Sequence, residues 1–506
     1  MSHPRPRRMT DAPTTPRRIV IVGGGTAGWM AAAAFGRLLG PAGTHVTLIE
    51  SDDIATVGVG EATIPPIQTF HAMLGIDEAA FLRATGGSYK LGIRFEGWSR
   101  PGESYIHPFG QVGTDIAGHP FAAQWLRARQ AGMAEPLDQY SLEARAATAG
   151  RFARPIPNGD SPLSRVGYAY HFDAGRYAAF LRAHAEANGV VRREGTVVAV
   201  DRGPAGIAAV RLADGSAIAG DLFVDCSGFR ALLIEGALTA GWVDWSEQLP
   251  CDRAVAVASA ADAAPLPLTR STAKAAGWQW RIPLRHRTGN GHVFSSRHMG
   301  EDEATAILLA GLEGSPVGTP RVLRFTTGHR RHFWSGNCVA LGLAAGFMEP
   351  LESTSIHLVQ RGIQHLLQML PASPADDAIV ARYNRIMTAE FTRIRDFLVA
   401  HYHLNARPEP FWRERAALPP PAGLAEKLAL YRSGGRIFRE SDELFNEQSW
   451  LAVLAGQAAP LVGHDPVCDA LPIDAVARRI AAIERVVATA LTHMPPHADA
   501  LARLAS

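Results

Sequence analysis

The chain has 506 residues, of which 47% are hydrophobic and 19% charged. That is enough apolar material for a large core, which excludes a disordered or fibrous protein, and the length predicts two to four folded units. Fifty basic and 48 acidic residues leave a net charge of +2 with no basic stripe, so no nucleic-acid partner is expected.

Met1 to Arg18 is rich in arginine and proline and has no apolar stretch, which reads as a disordered tail without a signal peptide. The longest uncharged run, Ile19 to Gly36, carries glycines at 23, 24, 25 and 28, and the loop they form would leave backbone groups unsatisfied in lipid. The expectation is a soluble, cytoplasmic protein with no membrane partner. Cys226, Cys251, Cys338 and Cys468 are too far apart for a zinc or redox motif and read as reduced, mostly buried thiols, and no metal site is expected. Lysine occurs only at positions 90, 274 and 427, so a lysine within a structured motif stands out.

Ile19 to Val22 is a short β-branched run, ended by Gly23-Gly-Gly-Thr-Ala-Gly28. Trp29 to Leu39 then reads as a helix and His45 to Glu50 as a second strand, which makes a βαβ unit. In its G-x-G-x-x-G, Gly23 permits the tight turn, Gly25 lets the backbone approach a diphosphate and Gly28 lets helix and strand pack closely. The diphosphate belongs on the helix N-terminus, and Glu50 stands where a carboxylate would meet a ribose. Farther on, the apolar strand Asp221 to Asp225 runs into Cys226-Ser-Gly-Phe229, a pattern that favours FAD over NAD.

Phe172 to Asn188 reads as a helix and Val190 to Leu212 as a hairpin. Thr354 to Leu370 and Ala378 to Leu398 show helical spacing, and after the proline-rich Leu418 to Ala422 the pattern stays helical to the end. The expected class is α/β. A discontinuous FAD-binding Rossmann-like module, of the aromatic-hydroxylase or glutathione-reductase type, takes residues 19–105 and 160–350 after the tail 1–18. A mainly helical substrate module takes 106–159 and 351–506.

Four further segments carry a resemblance: Val57-Gly-Val-Gly-Glu-Ala-Thr-Ile-Pro65, Tyr89-Lys-Leu-Gly-Ile-Arg-Phe95, Gly277-Trp-Gln-Trp-Arg-Ile-Pro283 and Gly342-Leu-Ala-Ala-Gly-Phe-Met-Glu-Pro-Leu-Glu-Ser-Thr354. With the glycine fingerprint, Ala169-Tyr-His-Phe-Asp173 and Arg395-Asp-Phe-Leu-Val-Ala-His-Tyr402, they make the chain resemble the flavin-dependent tryptophan halogenase family over most of residues 19–455. The resemblance implies an enzyme that takes FADH₂ from a separate NAD(P)H-dependent flavin reductase and uses O₂ and a chloride or bromide ion to make hypohalous acid. The acid passes through a tunnel to a lysine beside a small aromatic substrate. The family's lysine falls on Lys90 and its paired carboxylate on Glu352. The halide site falls on the amides of Thr354 and Ser355. Flavin contacts fall on Gly23, Gly25, Thr26, Ala27, Gly28, Glu50, Val197, Leu343 and Ile356. A monomer or a homodimer is expected.

These residue types suit those tasks. A lysine ammonium is a compact donor that can polarise HO–X, or lose a proton and form a haloamine, neither of which suits a delocalised guanidinium. Glu352, just before a helix, can take the proton a substituted ring must lose or orient the bound electrophile. Thr354 and Ser355 open that helix, where free N–H groups favour an anion. The family usually has glycine at the position of Ser355, so the loop geometry would change if that glycine needed a positive φ. Trp278 and Trp280 read as core or wall residues, in a segment thought in the family to separate substrate from flavin.

The substrate positions implied are His107, Phe109 and Ser353, with Phe445 as an opposite wall and Glu440 as part of an amino-acid clamp. Here the chain departs from enzymes that act on free tryptophan: Ser433 and Gly434 stand near the position of their adjacent tyrosine pair, and Ser449 stands where they have an asparagine. Burying a zwitterion without those partners costs several kcal/mol. An indole or indole derivative is therefore the expected substrate. The rival readings are a flavin-dependent aromatic hydroxylase reduced by NADPH, and a non-enzymatic FAD-binding regulator.

Overall fold

The computed structural model describes residues 17–53, 60–157, 159–204, 206–370, 376–441 and 443–504. Its centre is a six-stranded sheet in the order Trp334–Ser335, Cys338–Ala340, Leu222–Asp225, Arg18–Val22 (β1), His45–Glu50 (β2) and Val191–Glu194. All neighbours are parallel except Trp334–Ser335 with Cys338–Ala340. A parallel strand buried on both faces needs an unbroken apolar run, and Ile19 to Val22 are each no more than 3% exposed. The helix Thr26–Leu39 (α1) returns over this sheet, and its run Ala31 to Ala34 allows close packing.

A second, seven-stranded sheet runs Pro316–Arg324, Arg253–Ser259, Thr288–Phe294, Gly277–Pro283, Thr269–Lys274, Gly92–Glu96 and Ser104–Pro108. A small third sheet places Ala169–Phe172 between Glu61–Ala62 and Ser88–Lys90, with Lys90 opposite Ala169. Helices Ser355–Gln368, Asp377–His403, Ala422–Gly434, Glu447–Gly456 and Ile473–Thr492 make up most of the C-terminal third. Among the described residues no helix is long and apolar enough to cross a membrane. The α/β class with a Rossmann-like module is as expected.

Several boundaries differ from the sequence reading. Arg18, assigned to the tail, opens β1, because Asp221 accepts the backbone N–H of both Arg17 and Arg18 at 3.0 Å and pairs with the Arg18 guanidinium at 2.8 Å. The rest of the proposed tail, 1–16, lies outside the described residues. The hairpin from Val190 to Leu212 is three strands: Val191–Glu194 joins the parallel sheet, and only Val197–Gly203 and Gly206–Leu212 pair antiparallel. Residues 106–108 belong to the seven-stranded sheet through Ile93–His107 and Gly92–Pro108. After Gly434 the chain is not continuously helical but breaks at Gly435 and again beyond Gly456. All four cysteines are free and buried.

Candidate active site

A cavity of about 590 Å³ opens along the C-terminal edge of the parallel sheet and runs from Glu50 to Ile356. It falls within the ~300–1,000 Å³ range of ligand and cofactor sites. The glycines divide as the spacing predicts. Gly23 has φ +112° and packs on the carbonyl of Cys226, and a Cβ at Gly28 would collide with the carbonyl of Gly23. At Gly25 a Cβ would meet nothing within 4 Å, because that position faces the open cavity.

The N-terminus of α1 has no side-chain cap and no acidic residue in its first turn, so among the described residues its N–H groups are open to an anion. Glu50 accepts Trp29 Nε1 at 3.3 Å and pairs with Arg192. A carboxylate has about four acceptor positions, so it retains capacity for ribose hydroxyls. These residues fit a dinucleotide. Asp225 does not contribute a free carboxylate, since it accepts the backbone N–H of Ser227, Leu233 and Ile234 and shapes the turn whose residues Cys226 to Phe229 form the wall.

Of the nine anticipated flavin contacts, eight line this cavity; Gly28 sits behind it, against Gly23. Residues 57–59 of the Val57–Pro65 segment lie outside the described residues, but Gly60 to Ala62 also line the wall. At the far end the cavity meets Ser353, Thr354 and Ser355. Ser355 opens the helix Ser355–Gln368 in a helical conformation, so the serine in place of glycine costs no backbone strain. Ser353 instead carries the positive φ, at +59°.

Ser353 joins the cavity to a second, drier cluster. Lys90 is fully buried, and its Nζ donates to Ser353 Oγ at 2.8 Å and to the Thr63 carbonyl at 3.0 Å. It also lies 5.1 Å from the centre of the Phe109 ring. Burial pushes the Lys90 ammonium down to about 7, against the opposing charge of Glu352. Glu352 is also fully buried, and burial alone would raise its pKa. His107 Nδ1 and His401 Nε2, each 2.9 Å from one carboxylate oxygen, outweigh that effect and hold it at about 2. Tyr105 lies 2.8 Å from His401 Nδ1, which completes a buried chain from Tyr105 through His401 and Glu352 to His107. The sequence reading missed Thr63, Tyr105 and His401; the last stands in the Arg395–Tyr402 segment, without a spacing that marks its role.

The aromatic positions come together less simply. His107 and Phe445 touch each other, with ring centres 6.0 Å apart and planes at 53°, and Phe445 stacks on Phe397 at 3.7 Å. A substrate ring between His107 and Phe445 therefore requires these rings to part. Phe397, which packs against both of these rings, was not anticipated from the sequence. Glu440 is exposed, and Ser449 is bound to Asn446 Oδ1 at the start of its helix. Neither is in contact with Lys90 or Glu352.

Residues 18–473 match the family model for tryptophan halogenase. The chain belongs to the tryptophan halogenase family. It is 38% identical over 498 residues to RebH, a tryptophan 7-halogenase of Lentzea aerocolonigenes, covering 89% of this chain and 92% of the relative. Among solved structures it resembles Xcc4156, a flavin-dependent halogenase from Xanthomonas campestris, with 48% identity, a TM-score of 0.93 and coverage of 97% and 98%. It resembles BrvH, a flavin-dependent halogenase from Brevundimonas sp. BAL3, at 45% identity and TM-score 0.93, with coverage of 97% and 99%. This halogenase family member is thus an enzyme of the oxidoreductase type.

The cavity gives the halogenase a direct test of flavin placement. Gly25→Val is expected to fold normally yet weaken FAD binding by at least about tenfold, or 1.4 kcal/mol. Fluorescence titration with FAD, beside a thermal melt, checks both halves. Gly28→Val, whose side chain would strike the Gly23 carbonyl, is expected to lose folded protein instead.

Proposed function

We propose that this enzyme halogenates an electron-rich aromatic ring, an indole or indole derivative, with FADH₂ from a separate NAD(P)H-dependent flavin reductase, O₂ and chloride or bromide. The observation that carries the reading is the pair Lys90 and Glu352, both fully buried and both anchored at the turn that ends the flavin-sized cavity. Bound reduced flavin would supply, with O₂ and halide, an electrophilic halogen as hypohalous acid.

The chain's own residues would then act in sequence. Amides of Thr354 and Ser355, at a helix N-terminus whose cap side chain accepts none of them, hold the halide. Lys90 has two acceptors, Ser353 Oγ and the Thr63 carbonyl, which leaves a third N–H for the oxygen of hypohalous acid. That arrangement favours the protonated amine as a polarising donor over the haloamine. Glu352, ionised between two imidazoles, takes the ring proton directly or passes it to an imidazole. His107, Phe109, Phe397 and Phe445 supply aromatic walls. Glu440, Ser433 and Ser449 present no buried partner for a free amino acid, which supports an indole without the zwitterion.

Mass spectrometry of reactions with FAD, a flavin reductase, NADH and either indole or tryptophan tests the reading, with chloride and bromide supplied separately. A halogen isotope pattern on indole, weak on tryptophan, is the expected result. Strong product from tryptophan would remove the substrate assignment. Hydroxylated product without halogen would replace the halogenase reading with a monooxygenase.

A further inference from the structure

We infer that Trp278 is a positioning residue, which fixes the turn Glu349–Ser355 through a hydrogen bond to Glu349. The inference rests on the proposed function, because it takes the amides of Thr354 and Ser355 as the halide site.

Trp278 and Trp280 look interchangeable in Gly277–Pro283, yet the structure gives them different surroundings. Trp280 lines the flavin-sized cavity, and its Nε1 has no hydrogen-bond partner among the described residues. Trp278 is 1% exposed, and its Nε1 donates to Glu349 Oε2 at 2.9 Å. The same oxygen accepts the hydroxyl of Tyr402, and Cys251 also lies against the Glu349 carboxyl. Glu349 is thus a fully buried carboxyl gripped by side-chain donors from two different elements, with Cys251 beside it.

The consequence lies three residues onward. Glu349 leads into the single tight turn Pro350–Glu352, then Ser353 in a left-handed conformation, then the helix start at Thr354 and Ser355. A strained serine persists only where its surroundings over-determine it. His401 and Tyr402, consecutive residues of Asp377–His403, hold Glu352 and Glu349 respectively, so one helix end grips both carboxylates of the turn. Trp278 adds a second grip from the seven-stranded sheet, beside that of His107 on Glu352. His107 and Lys90 hold Glu352 and Ser353 in the middle of the turn, so losing the Trp278 bond loosens its entry at Glu349 and shifts the helix-start amides relative to the cavity.

Trp278→Phe keeps the aromatic bulk and removes the N–H, and Tyr402→Phe removes the other donor. Each is expected to weaken chloride binding, read from the ³⁵Cl line width of the purified protein, by about fivefold or more, the lower end of ordinary site-to-site coupling. FAD affinity, read by fluorescence titration, stays within about twofold, because neither residue lines the cavity. Adding Trp278→Phe to Glu349→Gln costs less than it does alone, as two members of one interaction should. Unchanged chloride affinity in folded Trp278→Phe overturns the inference. If that variant does not fold, Tyr402→Phe decides alone, and wild-type chloride affinity there overturns it. Chloride binding is measured without turnover, so a wild-type protein that binds chloride but halogenates no arene defeats the proposed function and not the tether.

Discussion

Lys90→Met is expected to reduce halogenation by about 10²–10³-fold, the range set by removal of a group that acts on developing charge. Flavin should still bind, because Lys90 is not in the cavity wall. The same variant has a second signature in stability. The amine is pushed from its ordinary 10.5 to about 7 by burial, so between those values the unfolded chain holds a proton that the folded chain does not. Below pH 7 the wild type carries the full cost of a buried ammonium; above it the wild type gains stability as pH rises. The advantage of Met over Lys is therefore greatest below pH 7 and shrinks toward pH 10, by up to roughly 5 kcal/mol at about 1.4 kcal/mol per pKa unit. Loss of the hydrogen bonds to Ser353 and Thr63 offsets the absolute difference but not its slope. Urea melts of both proteins at pH 6, 8 and 10 measure that slope, and a flat difference would show that Lys90 is not desolvated.

Glu352→Gln is expected to lower the turnover rate by about 10²–10³-fold, the usual range for an acid–base group. A glutamine offers a carbonyl to one imidazole and an NH₂ to the other, so both contacts survive only if one imidazole changes tautomer, and the negative charge between them is lost. The pH profile separates this residue from Lys90. With Glu352 held at about 2, the carboxylate stays ionised throughout the working range, and no acid limb is expected from it. The active ammonium of Lys90 is lost as pH rises, so wild-type activity should fall through about 7. Glu352's charge raises Lys90, and its removal should move that alkaline limb below 7. Initial rates from pH 5.5 to 9 by mass spectrometry check the direction. A limb that stays in place, or moves upward, would break the link between the two residues.

The parts of the site that the sequence revealed are those written in short stretches of chain. The βαβ unit is legible because strand, glycine turn, helix and terminal acid occupy residues 18 to 50 without a break. Glu352, Ser353 and the helix start are legible for the same reason. Lys90 stood out because lysine is so rare here. The partners of these residues are remote: His401 is 49 positions from Glu352, and Thr63 is 27 from Lys90. Trp278 reaches Glu349 across 71 residues, and nothing in the alternation of Gly277–Pro283 marks which tryptophan bears a hydrogen bond. Such pairings depend on the register of the seven-stranded sheet against the helical third, which no local period encodes. The misassigned hairpin has the same origin, since Val191–Glu194 takes its place from β2 rather than from the strand that follows it.

Position 353 limits how far the site can drift or be redesigned. Glycine there would relieve a left-handed backbone but leave the amine of Lys90 short of an acceptor, whereas alanine would keep the strain and also remove the oxygen. Threonine would add β-branching where the backbone tolerates it least. Serine is the compromise that serves both neighbours, so variation aimed at new substrates has room at Phe397 and Phe445 and very little at this hydroxyl.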